Sequence, residues 1–112
     1  MQYEPIREVS QDDAELSIAR NNPDELAGVL LSVALNSDEL SWAESFCLSL
    51  SGHTNELVRG NAILGLGHLA RRFGRLDSPA SKSAVAQALT DNSVYVRDQA
   101  DSAHDDMEQF LQ

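Results

Sequence analysis

Apolar residues recur along the chain at intervals of three and four positions, the spacing that places side chains on one face of an α-helix. Capping residues, prolines and glycines divide this pattern into six segments, and strand signals are nearly absent. The pattern predicts helices from a Ser10 cap to Arg20, Pro23 to about Leu35, Ser37–Asp38 to near Ser51, about Glu56 to Phe73, Ser78–Pro79 to Leu89 or Thr90, and a Ser93 cap to about Leu111. The predicted fold class is therefore all-α, with residues 1–10 as an extended N-terminal segment.

Four of the predicted helices carry an apolar stripe along one face, which we interpret as core rather than as a cofactor-binding box. With 42% hydrophobic residues in 112, the chain can bury one core, so residues 1–112 are predicted to form a single domain. The stripes comprise Leu26, Val29, Leu30, Val33 and Ala34, widened by Leu31 and Leu35; Leu40, Ala43, Phe46, Cys47 and Leu50; Val58, Ala62, Gly65, Leu66, Leu69 and Phe73; and Val96, Ala100, Ala103, Met107, Phe110 and Leu111.

The sequence repeats itself at a spacing of 38 residues. Val58-Arg59-x-x-Ala62 recurs as Val96-Arg97-x-x-Ala100, with His53 and Asp91 each five residues before the valine. Residues 12–35 are a third, degenerate copy. Because one helix pair cannot bury its own apolar face, three such pairs are predicted to stack in antiparallel fashion as a short α-solenoid.

The segment from Asp91 to Ala100 resembles the turn pattern of HEAT repeats, in which Asp precedes Val-Arg by five residues and a small residue follows. The resemblance implies that Asp91, Arg59 and Arg97 form a structural ladder between stacked repeats. The preceding copy departs from the pattern, because His53 stands where Asp is usual.

A narrower resemblance is carried by residues 59–71 (RGNAILGLGHLAR) together with the acidic last helix. From residue 23 to residue 111 the chain is similar to small acidic HEAT-like immunity proteins of bacterial contact-dependent inhibition and polymorphic toxin systems. The resemblance implies a protein that is not an enzyme and that binds and neutralises a cognate toxin C-terminal domain, often a nuclease. The alternative is a generic HEAT-like scaffold or adaptor without a toxin partner.

The charge of the chain restricts its partners. Eighteen acidic residues against eight Lys and Arg give a net charge of −10, which disfavours direct binding to nucleic acid or to anionic membranes. The charge is uneven: residues 1–57 carry −9, residues 58–82 carry +4, and residues 83–112 carry −5. No signal peptide or membrane span is predicted, so we expect a cytoplasmic protein. The negative charge leads us to expect a basic partner.

The last helix carries the main candidate for a binding surface. Asp98, Asp101, Asp105 and Glu108 are spaced by three, four and three residues, which places them on one face away from the core stripe. They are either a solvated face or an anionic ridge for a basic partner. Leu64, His68 and Arg71 of the preceding long helix are the other candidate contacts. Trp42 is either a half-buried core residue or an interface anchor.

No pattern in the sequence predicts catalysis, a metal site or a cofactor. Gly65-x-Gly67-x-x-Ala70 resembles a dinucleotide-binding fingerprint, but it lies inside a helix rather than after a strand. Gly60 and Gly67, on the other side of that helix, fit either a neighbouring helix or a docking partner. The single cysteine, Cys47, excludes an intramolecular disulfide and is interpreted as a small buried hydrophobe.

Overall fold

The computed structural model describes residues 8–111, which form six α-helices and contain no β-strand. The all-α prediction is therefore confirmed for this part of the chain. Residues 8–10 precede the first helix without regular structure, and the rest of the predicted N-terminal segment lies outside the described residues. The helices are α1 (Gln11–Arg20), α2 (Pro23–Asn36), α3 (Leu40–Leu50), α4 (Glu56–Phe73), α5 (Ala80–Ala88) and α6 (Val94–Phe110).

Most helix ends follow from the capping residues. The Ser10 hydroxyl accepts a hydrogen bond from the Asp13 amide, and α4 ends at Gly74, which is left-handed at φ 68°. The predicted start of α3 was wrong. The Ser37 hydroxyl accepts a bond from the Glu39 amide at 3.1 Å, which closes a turn instead of capping a helix, so α3 begins at Leu40.

Helix α4 lies at the centre of the bundle. It packs most extensively against α6 and α2, and it also contacts α3 and α5. Asn61 of α4 is buried between α2 and α6. Its side chain donates to the Ala27 carbonyl of α2 at 3.1 Å and accepts a bond from the Tyr95 hydroxyl of α6. One α4 side chain therefore ties together the two helices that flank it.

The buried core agrees with most of the predicted stripes. Buried side chains from all six helices form one hydrophobic cluster, and every predicted stripe residue of α3 is in it. Leu35 is an error of the prediction, because it is 39% exposed. Val29, Phe73 and Leu111 are only partly buried and pack against the cluster.

Gly60 and Gly67 are explained by α6. A Cβ on Gly67 would lie 2.8 Å from the Cα of Ala103, and one on Gly60 would lie 2.5 Å from the Tyr95 ring. The absence of a side chain at both positions thus lets α4 and α6 approach closely. Of the two alternatives raised by the sequence, the neighbouring helix accounts for these glycines.

Candidate partner-binding surface

The four acids of the last helix lie in solvent. Asp98, Asp101, Asp105 and Glu108 are all exposed on α6, and we call this set the acidic ridge. Within residues 8–111 the three aspartates form no ion pair, and the Glu108 carboxylate lies 3.6 Å from the His104 imidazole. The ridge therefore presents negative charge that the described chain hardly neutralises.

The three α4 candidates lie at the junction with α6. Leu64 and His68 are half-buried, whereas the Arg71 side chain is 59% exposed. The Arg71 guanidinium lies 3.8 Å from the Asp106 carboxylate and 5.8 Å from the centre of the Phe110 ring. Burial lowers the pKa of His68, with Asp106 opposing this shift and Arg71 adding to it.

The structure does not bring these two groups of candidates side by side. Asp106 marks the side of α6 that faces α4, because it approaches both Arg71 and the backbone at Gly67. At about 100° per residue, the ridge points about 120° away from Asp106 around the helix axis. A partner that contacts both the acidic ridge and the three α4 residues would therefore have to wrap around α6.

Part of the basic charge in the middle of the sequence is engaged within the chain. The Arg59 guanidinium forms two hydrogen bonds with Asp91, at 2.8 and 2.9 Å, and both side chains are mostly buried. Arg72 donates to the Ala34 carbonyl at 2.8 Å, and Arg75 pairs with Asp77. These contacts engage three of the five basic side chains of residues 58–82, whereas Arg71 and Lys82 are exposed.

Arg59 and Asp91, which the HEAT resemblance assigned to a structural ladder, form an ion pair in the structure. Arg59 also donates to the His53 carbonyl at 2.9 Å, and it lowers the pKa of Asp91 by hydrogen bonding. His53 makes a local hydrogen bond similar to one that Asp91 makes. Its Nδ1 accepts from the Asn55 amide at 3.0 Å, as Asp91 accepts from Ser93, and its Nε2 lies 2.8 Å from the Asn21 side-chain oxygen.

Glu44 is the structurally important residue that sequence reasoning missed. It is 2% exposed on α3, and its carboxylate accepts bonds from the Asp77 amide at 2.8 Å and the Ser78 amide at 3.0 Å. It also accepts from the Ser81 hydroxyl at 2.5 Å. The sequence offered one signal for this role: Glu44 is an acidic residue directly after Ala43 of the apolar stripe of α3. Glu44 links α3 to the start of α5.

Two further candidates are accounted for by packing. Trp42 is half-buried against the core, with its ring centre 5.4 Å from that of Phe46, and its indole N–H donates to Glu15 at 3.1 Å. Cys47 is fully buried, and burial raises the pKa of its thiol to about 12, with the nearby Glu44 charge adding to the shift. Cys47 is buried as predicted, and the half-burial of Trp42 fits both of its alternatives.

Residues 8–111 contain no group of three His, Cys, Asp or Glu side chains that could hold a metal ion. In the same range, no helix combines the length and the apolar character needed to cross a bilayer.

Comparison with known proteins adds one relationship. No protein-family profile and no curated protein sequence matches the chain. Among solved structures, it is similar to a chain in the crystal structure of the CDI complex from Cupriavidus taiwanensis LMG 19424, with 26% sequence identity and a TM-score of 0.84. The match covers 100% of this chain and 99% of the other. The chain as a whole therefore has the fold of a component of a CDI complex.

Proposed function

We propose that the chain is an immunity protein that binds a cognate bacterial toxin domain, a basic nuclease, and neutralises it by protein–protein association rather than by catalysis. The observation that carries the proposal is the full-length similarity, at a TM-score of 0.84, to a component of a CDI complex, where CDI stands for contact-dependent inhibition. The net charge of −10 supports the immunity component, because a nuclease needs cationic groups toward nucleic acid.

The proposed contact surface comprises the acidic ridge of α6 together with Leu64, His68 and Arg71 of α4. The exposure of the ridge and its lack of cationic partners within residues 8–111 support attraction of a basic domain. In this interpretation the ridge takes the place of phosphates in the toxin's substrate site. Nucleic acid and membranes are not direct partners.

We further propose that the chain is one HEAT-like domain that acts in the cytoplasm. The contacts support three stacked pairs, α1 with α2, α3 with α4 and α5 with α6, in which α4 packs against both α2 and α6. The Arg59–Asp91 bridge, which joins the turns of successive pairs, supports the same arrangement. Each pair is antiparallel in this proposal, giving a short solenoid.

Protection from the toxin tests this function. The test takes as candidate toxin the C-terminal domain of the protein encoded immediately upstream, expressed in a bacterial host with or without this chain. We expect growth arrest by the toxin alone and rescue by the wild-type chain. A variant with all four ridge acids changed to Lys should protect poorly, because it repels a basic partner, while its helicity by circular dichroism stays unchanged.

A second reversal variant controls for net charge. It changes four exposed acids outside the ridge to Lys, so that its total charge equals that of the ridge variant; they are Glu8, Asp12, Asp24 and Asp38. It should protect like the wild type. Failure of the wild-type chain to bind or protect would contradict the immunity function, and co-purification with a larger enzyme or receptor would favour the scaffold alternative. Full protection by the ridge variant would contradict only the ridge.

A further inference from the structure

A cleft separates α5 from the C-terminal half of α6. Its volume is about 300 Å³, and residues from both helices line it. It meets a second hollow of about 460 Å³ beneath the loop between α4 and α5, because Lys82 and Leu111 line both. The first cleft is lined by Lys82, Val85, Ala86, His104, Met107, Glu108 and Leu111.

The composition of α5 explains why the cleft is open. The helix has the sequence ASKSAVAQA, in which Val85 is the one large apolar side chain. The small alanine and serine side chains leave space above α6, so Met107 and Leu111 form an apolar floor that α5 does not fill. Methionine adapts readily to the shape of an incoming group.

The cleft is continuous with the acidic ridge. Glu108 belongs to both, and its side chain is 73% exposed. From Glu108 the ridge runs back along α6 to Asp98, a distance of about 15 Å at 1.5 Å per residue. The surface therefore has an apolar recess at one end and a row of carboxylates leading to it.

We propose that the cleft and the ridge form one docking surface, and that the cleft receives an apolar side chain from a basic segment of the toxin domain. This proposal rests on the immunity function proposed above. Charge complementarity selects the occupant: the exposed acids attract Lys and Arg on the segment, and the recess holds the apolar residue between them. The ridge acts mainly on the association rate, and the buried anchor acts mainly on the dissociation rate.

Lys82 provides a test of the sign of the partner's charge. It is exposed at the mouth of the cleft and forms no ion pair within the described chain. A basic segment entering the cleft is repelled by Lys82. Lys82→Glu is therefore expected to raise the association rate several-fold, and more strongly at low salt, because salt screens exposed charges. A slower association would contradict a basic occupant.

Filling the cleft tests the anchor. Ala86 is exposed within the lining, so Ala86→Phe occupies the recess without removing a core side chain. The matched control is Ala80→Phe, an exposed residue of the same helix about 120° away from Ala86. Binding is measured by biolayer interferometry against a catalytically inactive form of the upstream-encoded toxin domain, with circular dichroism confirming that both variants fold.

We expect Ala86→Phe to weaken binding at least about tenfold, chiefly through faster dissociation, and Ala80→Phe to bind within about twofold of the wild type. Tight binding by the wild type with no effect of Ala86→Phe would overturn the docking surface and leave the immunity function standing. Absence of wild-type binding would overturn both.

Discussion

Glu44 offers the most direct test of how the last helix pair is held to the rest of the molecule. Its buried carboxylate accepts three hydrogen bonds, from the Asp77 and Ser78 amides and from the Ser81 hydroxyl, at distances of 2.8, 3.0 and 2.5 Å. The two amides lie in the loop just before α5, and Ser81 lies in the first turn of that helix, where the helix dipole favours a negative charge. Glu44 thus fixes the loop before α5 and the first turn of α5 from a different helix.

The geometry sets the expected cost of substitution. A hydrogen bond to a charged group contributes about 1.5–3 kcal/mol net, and a buried donor that loses its acceptor costs about 1–3 kcal/mol. Glu44→Ala leaves three donors without their acceptor, and since such terms are not additive we expect a loss of about 3–5 kcal/mol. Glu44→Gln retains the shape and one oxygen, so the expected loss is about 1.5–3 kcal/mol.

Urea unfolding followed by circular dichroism at 222 nm measures both losses. Glu108→Gln is the matched control, because it makes the same change at an exposed acid and should alter the free energy of unfolding by less than about 0.5 kcal/mol. A loss below about 1 kcal/mol for Glu44→Ala would refute the reasoning, since water or a rearranged loop would then satisfy the donors as well as the carboxylate does.

Other outcomes follow from single contacts. Gly67→Ala should lower the free energy of unfolding by about 1–3 kcal/mol, because the added carbon would lie 2.8 Å from the Cα of Ala103. Gly28→Ala, with nothing within 4 Å, should be neutral or stabilising in the same urea experiment. Cys47, whose thiol pKa is raised to about 12 by burial, should react with a disulfide reagent in urea but not in the folded protein. Because burial lowers the pKa of His68 below its usual 6.5, the unfolded chain takes up the proton first, and stability should fall as the pH drops below 6.5. His68→Gln should make that fall shallower.

Helix ends were predictable where one side chain or one backbone conformation decides them. Both ends of α4 were predicted correctly, since Asn55 caps its first amides and Gly74 adopts the left-handed conformation that ends it. The start of α3 was not, because Ser37 is a good cap by type but closes a turn with Glu39. A serine hydroxyl can either cap a helix or close a local turn. The choice depends on the backbone conformation around it, which residue spacing does not reveal.

The extent of burial was predictable only on the core side of each helix. A helical wheel identifies the direction of the core, but how far neighbouring helices wrap around the sides depends on packing. Leu35, at the edge of the α2 stripe, is 39% exposed for this reason. Gly67 lies on the opposite side of α4 from its stripe and is nevertheless buried, because α6 covers that side.

The candidate surface was predictable in its chemistry but not in its arrangement. The spacing of the acidic ridge correctly predicted that its members share exposure to solvent. Its position relative to His68 and Arg71 depends on how α6 rotates against α4, which Gly60 and Gly67 set by letting Tyr95 and Ala103 approach. The role of Glu44 required knowing that α3 meets the loop before α5, a contact between residues more than thirty positions apart.

The fold allows the acidic ridge to exist at small cost to stability. Like charges three and four residues apart disfavour a helix by a few tenths of a kcal/mol per pair, so the ridge costs about 1 kcal/mol. Helix α6 is held instead by its opposite face, where Val96, Ala100, Ala103 and Met107 are buried and the glycines of α4 bring the two helices together. Since the forces that hold α6 and the charges it exposes lie on different faces, the ridge can be reversed without unfolding the helix. A loss of toxin protection on reversal would therefore report on binding and not on folding.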